Sequence, residues 1–140
     1  MALHNDTGVI GEEAAAGYLR DKGYRIVERN WRTGHLEVDI VAQKMDVMAF
    51  VEVKTRTTTF GDKQPEEYVD KEKQAKIVKA ANIYIVKHGI GLKPRFDIVA
   101  VMLDKETQRV ESINHIEEAF DVPLRTYGGY RPMSKRRRTL

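Results

Sequence analysis

The chain has 140 residues, 41% of them hydrophobic and 32% charged, with a formal net charge of +3. This suits a single folded domain and excludes a disordered or fibrous protein. The absence of cysteine excludes a disulfide framework and a thiolate zinc site. His4, His35, His88 and His115 lack the tight ligand spacing of a classical zinc enzyme. No apolar run approaches the roughly 18 residues of a membrane-spanning helix, and the N-terminus lacks the basic-then-apolar pattern of a secretory signal. The expected location is the cytoplasm.

Charge is unevenly spread. From Arg125 onward the chain carries Arg125, Arg131, Lys135, Arg136, Arg137 and Arg138 and no acidic residue, so the body before it is net acidic. Residues 1–124 are expected to form the domain and 125–140 a flexible basic tail. Such a tail suits phosphate contacts, and equally a solvated segment that aids solubility.

In chain order, an alanine-rich stretch predicts a helix over Val9–Lys22, stopped by Gly23. Its inward stripe takes in Glu12, Ala15 and Leu19, leaving Glu13 toward solvent. A short strand follows over Tyr24–Glu28, then a loop from Asn30 to Gly34. Leu36–Ala42 and Met48–Thr55 are rich in β-branched residues and predict two strands joined by a hairpin around Lys44–Val47. Thr57–Pro65 is a polar loop. Asp70–His88 predicts the longest helix, with Ile77, Ala80, Ala81, Tyr84 and Ile85 along one stripe and Gly89 ending it. Arg95–Leu103 is an apolar run that suits a strand buried on both faces. Val110–Ile113 suggests an edge strand and Ile116–Phe120 a short helix. The order αβββαβ, with a further edge strand, predicts an α/β fold in which helices flank a mixed sheet.

The central hairpin carries the candidate chemistry. Strict alternation puts Glu37, Asp39 and Val41 on one face and Val38, Ile40 and Ala42 on the other, while Phe50, Glu52 and Lys54 share a face. An even-length turn centred between Met45 and Asp46 sets Asp39 opposite Glu52 and Glu37 opposite Lys54. Two facing carboxylates need a shared proton or a cation. Oxygen ligands on a rigid hairpin suit Mg²⁺ or Mn²⁺. Lys54 sits where it can orient a water and balance phosphate charge. A solvent-facing hairpin with cross-strand ion pairs fits the spacing equally well. Two details favour the metal site: Val41 and Phe50 share the charged face, and Glu12 offers a third carboxylate from the first helix.

These residues resemble the PD-(D/E)XK nuclease superfamily in the arrangement Asp39…Glu52-Val53-Lys54. More closely, the chain resembles the YraN-like family of uncharacterised bacterial proteins, which are Holliday-junction-resolvase-like. The matching segments are Gly8-Val9-Ile10-Gly11-Glu12, Asn30-Trp31-Arg32, Glu37-Val38-Asp39-Ile40-Val41-Ala42, Phe50-Val51-Glu52-Val53-Lys54-Thr55-Arg56, Val69 with Lys73-Gln74, Arg95-Phe96-Asp97-Ile98-Val99, and Ile113…Ile116…Ala119-Phe120. They span roughly residues 8–120 and leave out the basic tail. The resemblance implies a restriction-endonuclease-like fold, Asp39 and Glu52 as metal ligands with Glu12 completing the shell, and Lys54 assisting the water. It implies a metal-dependent endonuclease acting on DNA, branched or nicked, with a nucleic-acid-binding protein that has lost catalysis as the alternative. Resolvase-like cutting of two strands would call for a homodimer.

Other residues have two readings each. Lys73 and Gln74 could reach a phosphate, although a solvated helix face accounts for them more simply. Arg56 could continue a basic track with Arg131, Lys135, Arg136, Arg137 and Arg138, or merely solvate a strand end. Trp31 could stack on a base or cap a core. Asp97 is expected to pair with Arg95 or a backbone amide for structural reasons.

Overall fold

The computed structural model describes residues 6–58 and 69–121. In order they form α1 (Asp6–Asp21), β1 (Arg25–Thr33), β2 (Leu36–Lys44), β3 (Val47–Thr58), α2 (Lys71–His88), β4 (Lys93–Asp104) and β5 (Val110–Ile116). The strands make one sheet in the order β1-β2-β3-β4-β5. Only β3 and β4 run parallel; the other neighbours are antiparallel. This is the expected mixed sheet with flanking helices, and α2 lies in the crossover between the two parallel strands, as such a connection requires.

One helix covers each face. Ala15, Ala16 and Leu19 of α1 pack with Ile40, Ala42, Ala49, Val51, Val99, Val101 and Leu103. Ile77, Ala80, Ala81, Tyr84 and Ile85 of α2 pack with Val41, Phe50, Phe96 and Ile98. β4 supplies residues to both clusters, which explains its continuous apolar run. Asp70 caps α2 by accepting from the Lys73 N–H at 2.8 Å, and Gly89 ends it in the left-handed region at φ 63°.

On α1, Gly11 faces Thr55 so closely that an added Cβ would lie 1.9 Å from Thr55 Oγ1 and 2.8 Å from its Cβ. The missing side chain is what lets α1 approach β3 and carry Glu12 toward the sheet.

Three expectations are corrected. The Asn30–Gly34 loop is largely strand: β1 runs on to Thr33, with Trp31 paired to Val38. Asn30 is accommodated within it in the left-handed region at φ 53°, a conformation that asparagine tolerates. Trp31 packs edge-on against Tyr84, with centroids 5.1 Å apart, so it serves the core. Second, alternation along β2 is not strict. Val38 packs in the same cluster as Val41, whereas Ile40 and Ala42 pack on the opposite face. The break falls at Asp39, next to the irregular Asn30 in β1. Third, Ile116–Phe120 is not helical. Ile116 ends β5, and the chain turns back with Glu118 at φ 54°. The Ala119 N–H donates to Phe96 O at 2.7 Å, and Phe120 stacks on Phe96. The 3–4 spacing of those apolar residues reflects this anchoring.

Asp97, fully buried, is the anchor's centre. It accepts from Arg95 Nε at 2.9 Å and Nη2 at 2.7 Å, from His115 Nε2 at 2.8 Å and from the Glu118 N–H at 3.1 Å. Arg95 also donates to the Tyr24 hydroxyl. Burial opposes ionisation of Asp97, but its hydrogen bonds from His115, Arg95 and Glu118 prevail and hold it below the usual carboxylate range. The expected structural role is met, with His115 and Glu118 as added partners.

Thr57 and Thr58 of the expected polar loop extend β3, while residues 59–65 of that loop and the basic tail residues Arg125, Arg131, Lys135, Arg136, Arg137 and Arg138 lie outside the described residues.

Candidate metal and phosphate site

The hairpin turn has Met45 in the left-handed region at φ 55°, which suits the twist of a two-residue connection. From there the β2–β3 register runs as expected through Lys44↔Val47, Gln43↔Met48, Ala42↔Ala49, Val41↔Phe50 and Ile40↔Val51. Continued by one step it would set Asp39 against Glu52, but the paired residues end at Ile40↔Val51. Beyond that point the Val53 N–H donates to Asp39 Oδ2 at 2.8 Å. A side-chain carboxylate thus takes over a backbone donor where the ladder stops, and this holds Asp39 at the split between the strands.

Glu52 follows Phe50 on the α2 face. The parallel crossover sets the first turn of α2 beside it, and Lys73 Nζ lies 3.3 Å from Glu52 Oε2. The Glu52 side chain is only 14% exposed and that of Lys73 is 50% exposed. Lys54 is half-buried one alternation further along β3 and also acts on Glu52.

The electrostatics are unbalanced toward negative charge. Burial pushes Asp39 up from 3.8 to about 7, with repulsion from Glu52 next in weight. The Val53 hydrogen bond resists the shift, while Glu12 and Glu37 add to it. Burial also raises Glu52, against the pull of Lys73 and Lys54. Glu37 pairs with Arg32 on β1 at 3.6 Å. Two carboxylates whose ionisation burial opposes, one of them also pushed up by its neighbour's charge, fit a hard divalent cation by their chemistry. Glu12 is in electrostatic range of Asp39, yet among the described residues no three acidic or histidine side chains form a ready metal cage.

The model of the uncharacterised protein family UPF0102 matches residues 11–101, a span that contains Glu12, Asp39, Glu52, Lys54 and Lys73. The chain belongs to UPF0102, the YraN-like family. A UPF0102 protein of Bacteroides thetaiotaomicron is 47% identical over 124 residues, covering 89% of this chain and 99% of its own. One from Caldanaerobacter subterraneus subsp. tengcongensis is 46% identical over 115 residues, covering 81% and 93%. A Porphyromonas gingivalis relative is 43% identical over 140 residues and 99% of both chains. That last alignment reaches into the basic tail, which the motifs quoted from the sequence do not.

The remaining candidates divide. Lys73 pairs with Glu52. The solvated-face reading missed this because the contact depends on the crossover; the sequence signal was its position three residues after the capping Asp70. The side-chain amide of Gln74 donates to Val69 O at 2.7 Å and so braces the same turn. Arg56 is exposed, and its guanidinium donates to the Thr55 carbonyl at 2.9 Å. Glu13 pairs with Arg29 at 3.1 Å, toward solvent as expected.

Proposed function

We propose that this UPF0102 protein is a divalent-metal-dependent nuclease of the PD-(D/E)XK type that hydrolyses phosphodiester bonds in DNA, branched or nicked. The observation that supports it most is the Asp39–Glu52 pair at the end of the β2–β3 ladder, with Lys54 and Lys73 beside it. An ion-paired surface hairpin does not by itself explain why the β2–β3 pairing ends at Ile40↔Val51 and Asp39 takes the Val53 N–H.

In this reading Asp39 and Glu52 would hold Mg²⁺ or Mn²⁺, with Glu12 adding negative charge from α1. A divalent ion held there would supply Lewis-acid charge for phosphodiester hydrolysis. Lys54, placed by the strand two residues beyond Glu52, orients the attacking water and faces the phosphate. Val53, through its N–H, keeps the Asp39 carboxylate from rotating away. The basic residues of the tail supply sequence-independent affinity for the phosphate backbone.

The test is cleavage of branched, single-stranded and duplex DNA with Mg²⁺ or Mn²⁺ by the full chain. Cleavage that needs the ion and disappears in Asp39→Asn and Lys54→Ala supports the proposal. DNA binding without cleavage of any substrate favours the non-catalytic binding protein instead.

A further inference from the structure

Lys73 is held at its root and loose at its tip. Its N–H is fixed by the Asp70 cap at 2.8 Å, and the neighbouring Gln74 side chain ties the same turn to Val69 O at 2.7 Å. Its ammonium meets Glu52 at 3.3 Å with half of the side chain in solvent. Lys54, the other lysine acting on Glu52, is set on a sheet strand, where the backbone fixes its position.

A divalent ion on Glu52 cannot share that carboxylate comfortably with an ammonium a few ångströms away. Two like charges so close in a half-buried site repel, and the side chain with an exposed path is the one that moves. Half of the Lys73 side chain lies in solvent, where a phosphate can reach it. We infer that Lys73 is an exchangeable counter-ion: it neutralises Glu52 until a divalent ion arrives, then transfers to a phosphate of the nucleic acid. The inference rests on the nuclease reading of this site and adds a coupling to it. Ion and nucleic acid each strengthen the binding of the other, because each takes one end of the exchange.

The experiment uses the full chain and Mn²⁺ titration calorimetry on the unmodified protein, Lys73→Gln, Lys73→Arg and Lys76→Gln. Lys76 pairs with Glu72 on the solvent side of the same helix at 3.8 Å and serves as the control. Freed of its competitor, the site in Lys73→Gln should bind Mn²⁺ about three- to tenfold tighter. Lys73→Arg and Lys76→Gln should match the parent. The affinity for a branched DNA oligonucleotide is then measured with and without Ca²⁺, chosen to slow turnover. The ion's enhancement of DNA binding should shrink by about the same factor in Lys73→Gln. If the parent and Lys73→Gln bind Mn²⁺ equally, the exchange is refuted and the metal site stands. If Mn²⁺ binds tighter but the DNA enhancement is unchanged, the transfer to phosphate is refuted. No Mn²⁺ binding by the parent overturns the exchange and the nuclease reading together.

Discussion

Gly11 tests whether the approach of α1 to the sheet is as tight as the structure has it. In Gly11→Ala the new Cβ would fall 1.9 Å from Thr55 Oγ1, 2.7 Å from Cγ2 and 2.8 Å from Cβ, against ordinary carbon contacts of about 3.5–4.0 Å. A rotamer change can turn Oγ1 and Cγ2 aside, but Thr55 Cβ moves only with the backbone of β3. Overpacking of this kind costs about 1–3 kcal/mol, and the better helix propensity of alanine returns up to about 1 kcal/mol. The net loss should be about 1–2 kcal/mol, or roughly 3–6 °C in melting temperature for a chain of this size. Gly17 on the same helix supplies the control, because nothing lies within 4 Å of its added Cβ. Gly17→Ala should gain about 0.5–1 kcal/mol. Thermal melts of the three proteins decide the matter. If Gly11→Ala melts at or above the parent, α1 does not pack here as described, and the placement of Glu12 beside Asp39 fails with it.

Asp39 ionises near 3.8 when unperturbed and is pushed up to about 7 in the fold, so its stabilising contribution is complete below the unfolded value and is lost as pH rises through about 7. In EDTA the parent should lose about 2 kcal/mol more than Asp39→Asn between pH 5 and 8; parallel pH profiles for the two proteins would contradict the coupling. Glu52→Gln gives up the Lys73 ion pair but relieves repulsion with Asp39, so without metal it should stay within about 1 kcal/mol of the parent. Mn²⁺ at a hundred times its dissociation constant should stabilise the parent by about 2.7 kcal/mol and Glu52→Gln by far less, and an equal response in melts of both would remove Glu52 from the ligand set. Asp97→Ala leaves Arg95 and His115 without their carboxylate and should cost about 3–5 kcal/mol in urea denaturation at pH 7. Because Asp97 is held below its ordinary value, the parent should lose this advantage only as pH falls into the strongly acidic range, and an undiminished gap at low pH would refute the assignment.

What could be read from the sequence follows from how local each determinant is. The ends of α2 were legible because Asp70 and Gly89 act within one turn of the helix. The β2–β3 register was legible because a short turn fixes the parity of every pair that follows. Asn30 and Gly34 misled because their turn preference is local, whereas the pairing of Trp31 with Val38 and its packing on Tyr84 depend on distant residues. The break of alternation at Asp39 was invisible as well: it lies between the pairs Arg29↔Ile40 and Trp31↔Val38, beside a left-handed Asn30 in the neighbouring strand. Asp39, Glu52 and Lys54 were singled out as candidates from alternation and spacing within one hairpin. Lys73 was undervalued because only the crossover from β3 brings the start of α2 to Glu52.

The two aspartates show what sets the site apart from the rest of the core. Asp97 on β4 and Asp39 on β2 are the same side chain, the first fully buried and the second half-buried. Asp97 has a guanidinium fork, an imidazole N–H and a backbone N–H directed at its oxygens, and it is held ionised. Asp39 has one backbone N–H and two further carboxylates acting on it beyond its partner Glu52, and it is driven toward protonation. Burial works in the same direction on both, so the sign of the outcome is decided by the donors around them. The fold supplies those donors where the charge ties β4, β5 and the following turn together. At the β2–β3 split the described residues offer Asp39 the Val53 N–H, and the backbone ladder ends at the same place. A chain under selection for stability alone has an easy remedy, a neutral residue at position 39 or 52. Keeping both acids leaves a standing electrostatic deficit that a bound divalent cation would neutralise, which is the physical reason for reading this end of the hairpin as a place of chemistry.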